Sequence, residues 1–403
     1  MFLISAFIFL FLGSCTNSPQ PKVKSDVKIN QQIQSQDTGI VPAAEKLDSY
    51  VPLLKGKNVG LVVNQTSLVN DKHLLDVLLD NKIAVKKLFA PEHGIRGAAD
   101  AGEKINDSRD KKSGLDILSL YGKNKKPSNA QLEGLDVMIF DIQDVGVRFY
   151  TYISTLHYVM EACAENNIPV IVLDRPNPNG HYVDGPVLEK EFTSFVGMHP
   201  VPIVYGMTIG EYAKMINGEG WLKGALKADL TVVKSDNYSH SMDYDLPVRP
   251  SPNLPNRKSI LLYPSLCLFE GSTFSIGRGT DQPFQVLGHP KWVSSAYFIP
   301  KSTPGAKYPK HENEKCGGIF FEMELPGLKK RGLNLSFLRQ AMISSQELDF
   351  EFFQNKDFFD KLAGTDKLRT QLVDRVELSE IRNSWKEELE KFKLIREKYL
   401  LYP

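Results

Sequence analysis

Three side chains able to take part in acid–base or anion chemistry, Glu92, His93 and Arg96, lie within five residues of one another. They follow a β-rich run at residues 84–89, which Pro91 ends because proline cannot donate a hydrogen bond to a strand ladder. Reactive side chains on a glycine-rich loop just past a strand end are typical of an active site. The alternative is a surface loop whose charges are solvated and whose glycines only turn the chain.

Three further clusters combine carboxylates, amides, tyrosines and arginines. One contains a pair of acids followed by an arginine and two tyrosines, one an acid and an amide, and the last an arginine between two glycines. Their candidate site residues, together with an amide after the first predicted strand, are Asp141, Asp144, Arg148, Tyr150, Tyr152, Asp174, Asn177, Arg278 and Asn64.

These residue types suit a sugar substrate. Two carboxyl groups can supply the acid and the base that cleave a glycosidic bond without a cofactor. Amides bind hydroxyl groups, tyrosines pack against a ring, and arginine binds a carboxylate with two parallel hydrogen bonds. Structural roles are the alternative: Asp141 or Asp174 capping a helix, and Asp144 pairing with Arg148 one turn away.

The helices and strands that must position these residues indicate an α/β fold. Continuous apolar runs at residues 59–64, 85–89, 136–141 and 170–174 alternate with helical patterns at 73–80 and 149–166. Such runs predict a parallel, doubly wound, Rossmann-like sheet covered on both faces. Because ligands bind beyond the carboxyl ends of such strands, the polar residues there predict one shared site.

Other chemistries find little support in the sequence. The first predicted strand ends in Asn64 without a Gly-x-Gly-x-x-Gly turn, and no Gly-Lys-Ser/Thr phosphate loop follows. We therefore expect no nucleotide cofactor, and scattered histidines predict no metal site. No Gly-x-Ser-x-Gly elbow is present. With 49 Lys and Arg against 48 Asp and Glu, the charge balance argues against a nucleic-acid partner.

The chain divides into four predicted segments. Residues 1–14 carry an apolar run that ends in small residues before Cys15, which resembles a bacterial lipoprotein signal with lipid attached to that cysteine. No Lys or Arg precedes the run, and an ordinary signal peptide is the alternative. Residues 15–44 read as a disordered tether, 45–228 as a Rossmann-like domain, and 229–403 as an α+β auxiliary domain. This organisation predicts an exported, lipid-anchored protein on the periplasmic side of the envelope, in contact with the membrane through its lipid only.

In combination, these motifs resemble the exo-β-N-acetylmuramidase (NamZ-type) family. The segments that carry the resemblance are at residues 64–66, 89–94, 140–146, 148–152, 174–178, 250–255 and 277–280. The resemblance implies release of N-acetylmuramic acid from the non-reducing end of peptidoglycan fragments during wall turnover. It also implies an active site in a cleft between the Rossmann-like domain and the smaller lobe.

Within that resemblance, Glu92 matches the family's presumed catalytic glutamate. We infer that Asp144 or Asp141 acts as base or stabiliser, and the sequence leaves inversion or retention open. We expect the substrate to contact His93, Arg96 and the other candidates named above, with Arg278 or Arg148 against the lactyl carboxylate. The rival functions are a non-catalytic peptidoglycan-binding lipoprotein and a wall amidase or esterase.

Overall fold

The computed structural model describes residues 39–91, 95, 108–122 and 124–403. Its centre is a seven-stranded sheet with a small hairpin beside it. In chain order these strands are β1 (Asn58–Val63), the hairpin β2 (Leu68–Val69) and β3 (Lys72–His73), then β4 (Ala84–Ala90), β5 (Ser108–Arg109), β6 (Asp116–Ser119), β7 (Val137–Asp141), β8 (Val170–Leu173) and β9 (Leu230–Val233).

The order across the large sheet is β5-β6-β4-β1-β7-β8-β9, and every neighbouring pair is parallel except β5 with β6. The chain builds outward from β1 to one side through β4 and then to the other side through β7. The strand order therefore reverses beside β1, at the kind of switch point where doubly wound sheets bind ligands.

Helices cover both faces of this sheet, and a smaller lobe follows it. In the described residues the α-helices are α1 (Leu47–Leu54), α2 (Leu74–Asp80), α3 (Asn129–Leu132), α4 (Tyr152–Glu165), α5 (Ile209–Gly218), α6 (Arg257–Leu266), α7 (Leu325–Arg331), α8 (Ser336–Glu347), α9 (Lys356–Ala363), α10 (Lys367–Val373), α11 (Leu378–Ser384) and α12 (Lys386–Glu397). The lobe also holds an antiparallel sheet of β10 (Val286–His289), β12 (Cys316–Phe320) and β11 (Tyr297–Phe298).

Side-chain alternation along the strands explains the layers. Met138 and Phe140 of β7 pack with α4 and α5, whereas Val137 and Ile139 pack on the opposite face with α1 and α2. Every residue of β7 is buried, as expected for a central parallel strand with both faces covered. These observations confirm the predicted α/β class, with a Rossmann-like sheet and a smaller lobe.

Two segments belong to the packed Rossmann-like domain although the predicted boundaries placed them outside it. Val41 forms a β-bridge with Asp236, and Ala43 and Ala44 are fully buried, although these positions fall within the predicted tether. Strand β9 begins at Leu230, after the predicted domain boundary, and pairs with β8 in the main sheet. In the described part of the chain no helix combines the length and apolar composition needed to cross a bilayer.

Candidate active site

A cavity of about 320 Å³ lies at the carboxyl edge of the sheet, where residues from both halves of the chain meet. Tyr121 reaches it just after β6, and the residues before and at the start of α4 form another part of the wall. Among the described residues the lining consists of Tyr121, Phe149, Tyr150, Thr151, Tyr152, Phe195, Val196, Ser251, Asn253, Leu254, Tyr263, Cys267, Glu270, Arg278, Phe284, Phe358 and Leu362.

Aromatic rings form much of this wall and hold one another in place. The rings of Tyr150 and Tyr152 meet edge to face with centroids 4.9 Å apart, and Tyr263 packs edge-on to Tyr150 at 5.9 Å. The Tyr150 hydroxyl donates to the carbonyl oxygen of Pro250 at 2.8 Å. Burial raises the pKa of Tyr150 well above its ordinary value, so this phenol is neutral at physiological pH. The packed rings thus give the cavity apolar surfaces bordered by tyrosine hydroxyl groups.

Asn64 supports the wall from beneath rather than lining the cavity. Its side-chain Nδ2 donates to the Tyr152 hydroxyl at 2.9 Å, and its Oδ1 accepts from the Thr66 hydroxyl at 2.6 Å. The Thr66 hydroxyl in turn accepts from the backbone N–H of Gln143 at 3.0 Å. This network joins the ends of β1 and β7 at the switch point and fixes the position of Tyr152.

Arg278 enters the cavity from the smaller lobe on a constrained loop. Gly277 and Gly279 on either side have φ values of 81° and 80°, and a Cβ at Gly279 would lie 2.4 Å from the carbonyl oxygen of Lys301. Both positions therefore require glycine. The guanidinium carbon lies 5.0 Å from the centroid of the Phe284 ring, which supports it from one side.

Glu270 orients that guanidinium. Its Oε1 accepts from Arg278 Nε at 2.7 Å, while the two Nη nitrogens make no hydrogen bond to any residue that the structure describes. Burial disfavours the charge on Arg278, but the neighbouring Glu270 carboxylate outweighs that effect and raises the pKa of the arginine. The arginine is therefore a fixed cation whose outer nitrogens can receive a ligand.

Arg148, the other predicted carboxylate-binding residue, does not line the cavity. Its side chain is fully buried and its Nη nitrogens donate to four backbone carbonyls, two of them in residues 362–363. Burial lowers the pKa of Arg148 to about 9. The guanidinium is occupied in joining separate segments of the chain, so the geometry leaves it no room for a substrate carboxylate.

Asp141 and Asp174 both occupy structural positions at strand ends. Asp141 is fully buried and forms a bidentate ion pair with Arg175, at 2.6 Å and 2.8 Å. Asp174 accepts from the backbone N–H of Gly210 at 2.8 Å, and from the hydroxyls of Thr208 at 2.7 Å and Tyr402 at 2.6 Å. Burial raises the pKa of Asp174 to about 7. Neither carboxylate is among the groups that line the cavity.

Asp144 is buried behind the aromatic wall. Its Oδ2 accepts from the Gly146 N–H at 2.7 Å and from the Tyr205 hydroxyl, and its Oδ1 has no hydrogen-bond partner among the residues that the structure describes. Burial raises the pKa of Asp144 to about 6, against the opposing effect of these hydrogen bonds. The side chain of Asn177 is likewise bound to another part of the protein, since its Nδ2 donates to the Met207 carbonyl at 2.8 Å.

Of the candidates within the described residues, the structure brings Tyr150, Tyr152 and Arg278 to the cavity.

The remaining candidates, Glu92, His93, Arg96 and Cys15, lie outside the described residues. Glu92 is bonded to Pro91, which is buried directly after β4. Strand β4 pairs with β6, whose following residue Tyr121 lines the cavity. Pro91, the last described residue before Glu92, therefore lies at the same edge of the sheet as the cavity. Within the described ranges, no group of three or more His, Cys, Asp or Glu side chains is placed to hold a metal ion.

Glu270 is the cavity residue that sequence reasoning missed. It is the one carboxylate in the described lining, and it lies in a 3₁₀ helix, Cys267–Gly271, that continues α6. A signal was present, because this acid comes eight residues before Arg278 in the same glycine-rich stretch. Pairing an acid with an arginine at that spacing requires knowledge of the intervening loop, which the sequence pattern does not provide.

Comparison with known proteins agrees with the fold and the motifs. The family described as "Exo-beta-N-acetylmuramidase NamZ" matches with its N-terminal part at residues 59–258 and its C-terminal part at residues 261–402. A protein of Bacillus subtilis (strain 168), named peptidoglycan beta-N-acetylmuramidase NamZ, is 39% identical over 421 aligned residues, which cover 100% of this chain and 98% of that protein.

Two crystal structures of DUF1343 family proteins from Bacteroides fragilis NCTC 9343 have the same fold. One is 45% identical with a TM-score of 0.83, and the other is 30% identical with a TM-score of 0.78. Each comparison covers 90% of this chain and 99% of the crystallised one. The resemblance inferred from the motifs is thus confirmed, and the chain belongs to the exo-β-N-acetylmuramidase NamZ family of glycosidases.

Proposed function

We propose that this protein is an exo-acting glycoside hydrolase that releases N-acetylmuramic acid from the non-reducing end of peptidoglycan fragments. Membership of the NamZ family and the name of the Bacillus subtilis relative support a muramidase acting on peptidoglycan. The cavity supports the finer assignment of the sugar, and we further propose a role in cell-wall recycling.

The observation that carries the assignment is the available guanidinium of Arg278 in an aromatic cavity. N-acetylmuramic acid differs from N-acetylglucosamine by a lactyl ether that carries a carboxylate. A fixed arginine with two unoccupied Nη nitrogens can bind such a group in a bidentate manner. Because Arg148 is occupied by four carbonyl groups, Arg278 is the residue we assign to the lactyl carboxylate.

We assign Glu92 as the general acid that protonates the leaving glycosidic oxygen. Its motif and its position two residues past the end of β4 support this role. Asp141 is held in its ion pair with Arg175, and Asp144 is buried and accepts a hydrogen bond from Tyr205, so neither has the access to a sugar that the second catalytic group needs.

Replacing Glu92→Gln tests the acid role. The amide cannot donate a proton to the leaving group, so we expect kcat to fall by at least about 10²-fold while the melting temperature is retained. The surface variant Glu133→Gln serves as the matched control. Activity of Glu92→Gln within about tenfold of wild type, equivalent to ~1.4 kcal/mol, would remove Glu92 from this role.

We further propose that the mature protein is exported and anchored by lipid on Cys15, with a polar tether between the membrane and the enzyme. The apolar run before Cys15 and the composition of residues 16–38 support this proposal. Wild-type protein should partition into the detergent phase, and Cys15→Ala should remain in the aqueous phase without the added lipid mass. Aqueous partitioning of both, with no lipid detected by mass spectrometry, would refute the anchor.

A further inference from the structure

Cleavage of a glycosidic bond needs two carboxyl groups, one that gives a proton and one that works in its ionised form. The sequence nominated Asp141 or Asp144 for the second role, and the structure places both outside the cavity lining. In the described part of that lining, the one carboxylate is Glu270. We propose that Glu270 supplies the ionised carboxylate of the reaction, an assignment that rests on the glycosidase function proposed above.

Two cations lie next to Glu270. Arg278 Nε donates to its Oε1 at 2.7 Å, and the side chain of Lys310 is held beside its backbone, with Nζ donating to the Glu270 carbonyl at 2.9 Å. A carboxylate held at this position in the cavity wall can face the positive charge that develops at the anomeric carbon.

The carboxylate is both positioned and accessible. Arg278 occupies only Oε1, and Oε2 makes no hydrogen bond to any residue in the described ranges. The side chain is 21% exposed and lines the cavity, whereas Asp141 is completely buried. Oε2 is therefore available to a sugar or to an attacking water in a way that Asp141 is not.

The backbone that carries Glu270 is fixed from two directions. Lys310 Nζ also donates to the carbonyl of Phe269 at 3.2 Å and to that of Ser272, closing the end of the 3₁₀ helix. A Cβ on Gly271 would lie 2.7 Å from the Cβ of Phe359, so this turn packs directly against α9. Rigid placement of this kind is what a catalytic carboxylate requires.

In the reaction, the general acid gives its proton to the glycosidic oxygen as the bond from that oxygen to C1 breaks. Glu270 stabilises the oxocarbenium-like charge at C1 and accepts a proton from the water whose oxygen forms the new bond to C1. Glu270 then releases this proton to solvent and the general acid takes one up, so that one water is consumed overall and both groups return to their starting protonation states.

A purely positioning role makes a different prediction. If Glu270 acted only by holding Arg278, glutamine would serve nearly as well, because its amide oxygen can accept the same hydrogen bond from Nε. Glu270→Gln would then change KM modestly and leave kcat almost intact. The catalytic assignment requires the negative charge, which glutamine lacks.

The test measures kcat and KM of the full-length protein on a disaccharide with N-acetylmuramic acid at its non-reducing end. We expect Glu270→Gln to lower kcat by at least about 10³-fold with KM within about threefold of wild type and an unchanged melting temperature. Glu270→Ala should regain turnover in sodium azide, with a glycosyl azide as product, because azide is already anionic and can attack C1 in place of the water without a base. The exposed Glu322→Gln should match wild type.

Two results would overturn the assignment in distinguishable ways. A kcat of Glu270→Gln within tenfold of wild type, on a substrate that the wild type cleaves, would leave Glu270 as a positioning residue for Arg278 only. Azide rescue of Arg278→Ala to the same degree as Glu270→Ala would also refute it. If the wild type cleaves no muramyl disaccharide at all, the proposed function fails and this assignment fails with it.

Discussion

At the scale of single residues, two arginine side chains of this protein have different roles. Arg278 has two nitrogens free for a ligand in the described structure, whereas Arg148 gives its four Nη hydrogen bonds to backbone carbonyls. Both arginines follow a glycine-containing turn, and the sequence could not separate them. The difference arises from segments hundreds of positions away, since residues 362–363 supply two of the acceptors for Arg148.

Buried carboxyl groups at this scale predict a pH dependence of stability. Burial raises the pKa of Asp174 to about 7 and that of Asp144 to about 6, from an ordinary value of 3.8. A raised pKa means that the folded state binds the proton more tightly than the unfolded state. The stabilisation is complete below about pH 4 and is lost as pH rises through 6 to 7.

We therefore expect the free energy of unfolding to contain a component that falls between pH 5 and pH 8, and Asp174→Asn to remove part of it. Each unit of pKa difference corresponds to about 1.4 kcal/mol. Urea unfolding of wild type and Asp174→Asn at pH 5, 6.5 and 8 measures the effect as the change in their difference. A difference between the two proteins that is constant across this range would contradict the raised pKa of Asp174.

At the scale of elements, sequence patterns located most of the helices and strands that build the sheet. The spacing of Thr208 and Glu211 in the sequence predicts a capping box, and the structure contains it at the start of α5. Helix α4 begins at Tyr152 rather than at the predicted Phe149, because residues 149–151 turn toward the cavity. The apolar pattern of residues 149–151 fits both a helix and a cavity wall, so periodicity could not place this boundary.

The carboxyl-terminal elements were harder to predict. The sequence pattern at residues 378–399 predicts a single helix, whereas the structure divides it at Trp385, where φ and ψ are −111° and 3°. Helices α9 and α10 were not predicted, and their buried residues belong to the same core as those of α4 and α5. Their apolar faces are defined by tertiary packing between distant segments, which a local pattern does not encode.

Arg148 acts at this scale as a connector between elements, which a matched pair of variants can test. Arg148→Met leaves four buried carbonyl groups without their donor, so we expect the free energy of unfolding to fall by about 3 kcal/mol or more. Arg278→Met removes an ion pair whose side chains are 25% and 21% exposed, so stability should fall less than in Arg148→Met while kcat/KM falls at least tenfold. Urea unfolding and steady-state kinetics on both variants measure the two effects.

The opposite pattern would contradict these roles. A stable Arg148→Met with a large loss of substrate affinity would place that arginine at the substrate. A strongly destabilised Arg278→Met would make its ion pair structural, and the lactyl carboxylate would then need another partner.

At the scale of the whole molecule, the sheet order explains why chemistry gathers at one edge. The chain builds away from β1 in both directions, so the ends of β1, β4 and β7 meet at the switch point. Strand-end residues predicted a site at this edge, and the cavity lies there, but Asp141, Asp144 and Asp174 bind other groups of the protein and do not line it. A polar residue at a strand end satisfies backbone groups as readily as it contacts a ligand, and only side-chain geometry distinguishes the two.

The central claim is that the cavity recognises N-acetylmuramic acid at the non-reducing end of a glycan and cleaves the bond that follows it. Product analysis on two disaccharides tests this most directly: one with N-acetylmuramic acid at the non-reducing end, and one with the two sugars reversed. The account predicts release of N-acetylmuramic acid from the first and no cleavage of the second. Equal cleavage of both disaccharides, or binding of the first without cleavage, would contradict it.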